Sequence, residues 1–315
     1  MRRRFVTVDV FTEQMFGGNP LGVVLDAEGL TTAQMQSIAA EFNYSETTFV
    51  LPPRQASNTA RVRIFTPRVE VPFAGHPNVG TAFALARLRE SDDGSVLENV
   101  RFEEAAGLVP IRILRANGTV VGAEFRAPET LSIRSEVTVA AAAACLTLQA
   151  QDLSTAVHAP VVVSVGLPML VVEVGSRAAL QRARPSLAAH AAHLPCDGAD
   201  CIFAYAQQRD GDAPAGITVL QARMFAPLDG VVEDPATGSA VAATIALLAQ
   251  LAPEQTRRRT WRVHQGVAMG RPSLILGCTD KHSGQLRSVK VSGHCVAVMQ
   301  GSFVVQGASE SDASE

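Results

Sequence analysis

The chain has 315 residues, of which 47% are hydrophobic and only 18% charged, with a formal net charge of -3. A charged share below the usual one of about 25% means that much of the chain is buried, and the length suits two domains of about 150 residues each. Near-neutrality without a sustained basic face excludes an electrostatic footprint for nucleic acid, and Arg257, Arg258 and Arg259 read as a solvated turn.

At the start, "MRRRFVTVDVF" is basic, but its apolar stretch is broken at Asp9 and alternates with the period of a strand, so it reads as no export signal. "GGNPLGVVLD" gives a turn and a second strand, and Met35, Ile38, Ala39 and Phe42 then fall at helical spacing before "NYSETTFVL" returns to a period of two. "RVRIF" is a further strand. "PNVGTAFALARL", residues 77–88, is an apolar helix, and a helix hydrophobic most of the way round belongs inside a sheet or barrel. "VPIRILR" and "VVGAEFRA" are strands joined by the hairpin signal Asn117-Gly118, and the alanine-rich residues 137–148 form another helix. Strands follow in "VVVSVGLPMLVVEV", "IFAYAQ" and "ITVLQARMF", then an apolar helix after Asp234 and a closing hairpin in "SVKVSGHCVAVMQGSFVV". The acidic residues 307–315 are expected to be a disordered tail.

The longest apolar run, residues 240–248, falls well short of the roughly 20 residues of a membrane span. Five scattered cysteines without metal spacing are those of reduced thiols, so a cytoplasmic protein is expected, with no membrane and no nucleic-acid partner. His190, His193, Cys196 and Cys201 fit no zinc pattern, so no metal is expected.

"RIFTPRVEVPFAGHPNVGTAFALARL" from Arg63 matches "RMFAPLDGVVEDPATGSAVAATIALL" from Arg223, 160 residues later. Strand, Phe-x-Pro turn, small-residue loop and buried helix recur in order, which duplication explains better than chance likeness of two helix starts. The loops "AGHPN" and "DPATGS" would then face each other across a cleft. Each opens a buried helix whose free N–H groups and partial positive charge favour an anionic substrate. "DPATGSA" lacks the lysine and glycine spacing of a phosphate loop, and no Gly-x-Ser-x-Gly elbow points to a hydrolase.

Several stretches together are similar to the PhzF-like phenazine-biosynthesis isomerases: "GNPLGVV" (18–24), "NYSETTFV" (43–50), "RIFTPRVEVPFAGHP" (63–77), "RMFAPLDGVVEDPATGSA" (223–240), "QGVAMGRPS" (265–273) and "VKVSGHCVAV" (289–298). The resemblance runs nearly end to end. It implies the α+β diaminopimelate epimerase-like fold, two pseudo-symmetric domains, each a curved, mostly antiparallel sheet or barrel around one buried helix. It also implies an active site between the halves, no cofactor, and commonly a homodimer. The first half is placed at residues 1–118 plus 299–306 and the second at 119–298.

Carried over residue by residue, the resemblance makes Glu46 the general acid/base and gathers His76, Asp234 and Ser239 around the substrate, with Gly75, Asn78, Thr237 and Gly238 as further binding residues. The reaction it implies is proton migration on a carboxylated ring such as trans-2,3-dihydro-3-hydroxyanthranilate. On residue pattern alone Glu46 reads as an exposed acid on a half-buried strand, His76 as part of a helix start, Asp234 as a helix cap and Ser239 as small packing. Residues 73–78 and 233–239 contain no cysteine, which argues against two-thiol stereoinversion; Cys295 reads as packing. An isomerase or epimerase of another small acid, and a non-catalytic carboxylate-binding protein, are the competing readings.

Overall fold

A computed structural model describes residues 1–208 and 216–305, so the expected tail at 307–315 lies outside the described residues. The chain forms β1 (Arg2–Val10), β2 (Asn19–Val24), α1 (Thr32–Phe42), β3 (Glu46–Leu51), β4 (Ala60–Phe65), β5 (Glu70–Val71), α2 (Gly75–Asp93), β6 (Asn99–Glu104), β7 (Gly107–Ala116), β8 (Thr119–Arg126) and β9 (Ser132–Glu136). Then come α3 (Val139–Cys145), β10 (Val161–Ser164), β11 (Met169–Glu173), α4 (Arg177–Arg182), α5 (Leu187–His193), β12 (Ile202–Gln207) and β13 (Ile217–Ala226). The last elements are β14 (Val231–Asp234), α6 (Gly238–Leu251), β15 (Arg257–Gln265), β16 (Ser273–His282) and β17 (Gln285–Val304).

The hydrogen-bonded pairs close two rings. In the first, β1, β2, β3, β4, β6, β7, β8 and β17 pair in that order and return to β1. In the second, β10, β11, β12, β13, β15, β16 and β17 pair in turn, and β8 continues into β9, which pairs back to β10. Each ring contains two parallel pairs, β2–β3 with β4–β6 and β11–β12 with β13–β15, and every other ladder is antiparallel. The duplication read from the sequence is thus repeated in the strand pairing.

A barrel must be filled, and here each is filled by a helix. In α6 every residue from 238 to 249 is buried, and in α2 residues 75–84 are. Alanine, glycine and threonine at the interior positions let the surrounding strands approach closely, while Phe83, Ile245 and Leu247 supply bulk. The two helices share one core with Val8, Leu21, Phe125, Phe203 and Trp261. Lys281, 5% exposed, donates from Nζ to Gln250 O and Ala252 O, both 2.8 Å away, and so satisfies carbonyls left over at the end of α6.

β17 is shared. Its first residues pair with β16, residues 290–294 pair with β8, and from Cys295 onward it pairs with β1. Its counterpart in the other half is divided into β8 and β9. Some local expectations are corrected. Arg257–Arg259 open β15 rather than forming a turn, because they pair with Thr279–Lys281. The helix expected from residue 77 starts two residues earlier, and that expected over 137–148 shortens to α3. No helix is long and apolar enough to cross a membrane among the described residues.

Candidate active site

The two central helices point their amino ends at one another. A Cβ on Gly75, at the start of α2, would stand 2.9 Å from Ser239 N and 3.2 Å from Gly238 Cα, at the start of α6. Neither start has a side-chain cap on Ala74 or Thr237, and Pro77 has no N–H. Two sets of uncapped backbone donors, with the positive ends of two helix dipoles, therefore converge on a cavity of about 410 Å³. It is lined by Glu46, His76, Asp234, Gly75, Thr237, Gly238 and Ser239 at this end and by Val71, Phe73, Met169, Met224 and Val231 along its walls.

Glu46 opens β3, which pairs parallel with β2 and sets Glu46 beside Leu21. Its side chain is only 19% exposed, and its Oε2 stands 3.4 Å from His76 Nε2; among the described residues both atoms otherwise lack a hydrogen-bond partner. Burial, and secondarily the charge of Asp234, raise the Glu46 carboxyl well above the usual carboxylate range. Burial also lowers His76 to about 3, so its imidazole is neutral. Asn19 Nδ2 lies 3.2 Å from His76 Nδ1. An amide nitrogen only donates, which makes Nδ1 the acceptor and puts the imidazole proton on Nε2, facing Glu46.

Asp234 does not cap α6. The helix begins at Gly238, and the carboxylate of Asp234 instead accepts from Asn19 Nδ2 at 2.8 Å, from Ser45 Oγ at 2.9 Å and from the Thr237 hydroxyl. Burial raises its pKa, and these three donors offset part of that rise. Gln265 completes the arrangement. Its Nε2 donates to Asp234 O (2.8 Å) and Thr237 Oγ1 (3.0 Å), while its Oε1 accepts from Thr237 N (3.1 Å). Asn19 Nδ2 also stands 2.9 Å from Ala236 O, so its two N–H groups are shared among His76, Asp234 and Ala236 and tie β2 to the loop before α6. The turn before Asn19 is held by Arg271, which donates to Gly18 O (2.8 Å) and Gly17 O (2.7 Å) and pairs with Asp9 at 2.6 Å.

Glu46, His76, Asp234, Gly75, Thr237, Gly238 and Ser239 thus come together on one cavity. Asn78 is not among the residues that line it: it is fully buried one turn into α2, donates to Ala74 O at 3.0 Å, and interacts with Glu104. Burial pushes that second carboxyl, on β6, up to about 8, the Asn78 amide offsetting part of the rise. Sequence reasoning missed Asn19, Ser45 and Gln265. Each stands inside a quoted stretch, but a lone amide or hydroxyl in or beside a strand carries no periodic signal. Cys295 is buried in the core as packing, and burial raises its thiol.

Residues 8–301 match the family described as phenazine biosynthesis-like protein, PhzC-PhzF, and the chain belongs to that family. It is an isomerase with the diaminopimelate epimerase-like fold. It is 36% identical over 304 residues to the trans-2,3-dihydro-3-hydroxyanthranilate isomerase of Pseudomonas chlororaphis, covering 96% of this chain and 99% of that one. It is also 36% identical over 307 residues to an uncharacterized isomerase of Mesorhizobium japonicum, with 96% and 99% covered. A PhzF-family phenazine biosynthesis protein of Bacillus anthracis superposes with a TM-score of 0.82 at 25% identity, covering 97% of this chain and all of that one.

Proposed function

We propose that this isomerase moves a proton on a small carboxylated ring, of the trans-2,3-dihydro-3-hydroxyanthranilate kind, in the cleft between its barrels, with Glu46 as the single acid/base. The observation that carries the reading is the buried Glu46 carboxyl facing a neutral His76 at 3.4 Å, beside two uncapped helix starts.

The substrate carboxylate takes the backbone donors of α2 and α6, which sets the ring over Glu46. The ionised Glu46 removes a proton from one ring carbon, and the electron pair left behind spreads into the conjugated system. The Glu46 acid so formed returns a proton to a second carbon. Nothing is oxidised or reduced and no atom is lost. His76 donates Nε2–H toward the carboxylate and fixes its direction, Asn19 fixes the tautomer of His76, and Asp234 holds Asn19 and Thr237 in place. A carboxyl raised toward neutrality suits this task, because it is basic enough to accept a carbon-bound proton and acidic enough to return it.

Turnover of a dihydro-hydroxyanthranilate substrate in heavy water tests the reading: wild type incorporates solvent deuterium into the product, and Glu46→Gln binds the substrate without exchange. Binding by wild type with neither product formed nor deuterium incorporated would make the chain a carboxylate binder, and turnover retained in Glu46→Gln would remove Glu46 from the chemistry.

A further inference from the structure

At the end of the first barrel remote from the α2 start lies a second cavity, of about 430 Å³. Leu85, which lines it, is ten residues into α2, about 15 Å along the helix axis from Gly75, and none of its lining residues lines the isomerase cleft. Leu25, Val50, Leu85 and Leu97 form an apolar side of a wall that is polar in part, and Arg3 and Arg89 bring positive charge to it.

Arg3 is the anomaly. It is 8% exposed, and among the described residues its buried Nε has no hydrogen-bond partner and its Nη2 has only Met1 Sδ, at 3.4 Å. Among the described residues it forms no ion pair. A guanidinium is charged at every pH a protein meets, and one withdrawn from water without a carboxylate or carbonyl acceptor is costly. The nearby carboxylate of Asp26 feels the charge of Arg3 but is already engaged on both oxygens by Arg4, at 2.8 and 3.0 Å. The cavity therefore sets an unpaired, nearly buried cation against hydrocarbon. Glu28 lines it as well, and with Asp26 neutralised by Arg4 it stands alone against Arg3 and Arg89, which limits the negative charge the cavity favours to one.

We propose that this cavity is a second ligand site, separate from the isomerase cleft, that takes a small amphipathic monocarboxylate, its carboxylate on Arg3 and its hydrocarbon body against Leu25, Val50, Leu85 and Leu97. The ligand supplies the acceptor that none of the described residues gives Arg3. Charge-assisted hydrogen bonds give the carboxylate its preference, and the apolar side gives the affinity.

Calorimetric titration with octanoate and with octan-1-ol tests the site. Wild type is expected to bind octanoate saturably at one site and at least tenfold more tightly than the alcohol. Arg3→Met is expected to lose about tenfold in octanoate affinity, Arg3→Lys to recover part of it, and both to keep wild-type isomerase turnover. Glu46→Gln is expected to bind octanoate like wild type, which keeps the outcome independent of the catalytic reading. The proposal fails if octanoate does not saturate wild type, if the acid and the alcohol bind alike, if Arg3→Met binds as wild type does, or if Glu46→Gln abolishes binding. The acid-to-alcohol comparison needs no variant, so a misfolded Arg3→Met would still leave the proposal open to refutation.

Discussion

The two helix starts meet backbone to backbone at Gly75, and adding one methyl group there probes the contact. In Gly75→Ala the new Cβ meets Ser239 N at 2.9 Å and Gly238 C and Cα at 3.2 Å, as much as 0.5 Å inside the 3.4 Å at which ordinary contact begins. The atoms it meets are backbone of another buried helix start, so no side chain can rotate away. One start must shift by about half an ångström, and overpacking of this kind costs ~1–3 kcal/mol. Since a misplacement of about 1 Å costs on the order of 10²-fold in rate, half of it is expected to cost about tenfold in turnover. Deuterium incorporation gives the rate, and urea unfolding gives the stability. Gly94→Ala is the control: φ is +70° and nothing lies within 4 Å, so it costs about 1 kcal/mol of stability and leaves turnover alone. If Gly75→Ala turns over as fast as Gly94→Ala, the contact between the helix starts does not set the geometry of the site.

The rate should rise with pH along a limb above the ordinary carboxylate range, because the base is the ionised form of a carboxyl that burial has raised; His76, at about 3, adds no second limb near neutrality. A limb centred at an ordinary glutamate value would contradict this. Glu104 is raised to about 8, so the folded state holds a proton that the unfolded chain has lost, and the stability this gives is complete below the ordinary carboxylate range and gone above about pH 8. Glu104→Gln cannot ionise and should flatten that decline, its gain over wild type reaching on the order of a few kcal/mol in urea unfolding at alkaline pH. Lys281→Met leaves the carbonyls of Gln250 and Ala252 without their donor and should cost ~1–3 kcal/mol in unfolding free energy, with turnover unchanged.

The parts of this molecule legible in its sequence are those with a period or a copy. Apolarity all round α2 and α6 announced helices inside barrels, and the match of Arg63 onward with Arg223 onward announced two equivalent halves. Glu46, His76 and Asp234 were reached through motif resemblance, since the alternation of β3 alone reads Glu46 as a surface acid. The network around them was not legible. Asn19 meets Asp234 across 215 residues of sequence and Gln265 meets Thr237 across 28, and neither separation leaves a local trace. Asp234 misled for a physical reason: Asp-Pro before a helix has the grammar of a cap, but two more residues intervene before the helix begins, and Thr237 with two remote donors, Asn19 and Ser45, claims the carboxylate.

The long strand β17 also decides when the molecule can become whole. Val10 pairs with Cys295 and Arg2 with Val304, so the amino-terminal barrel lacks its last stave until almost the entire chain exists. A protein made amino end first therefore finishes its first-made barrel last, and cutting the chain between the halves yields two open sheets with raw edges. Because Met1 N reaches Val305 O at 2.6 Å, the described ends lie side by side. A circular permutant that joins them and opens the chain in the hairpin at Asn117-Gly118 would make β17 and β1 neighbours in sequence, and would turn the slowest closure into a local one.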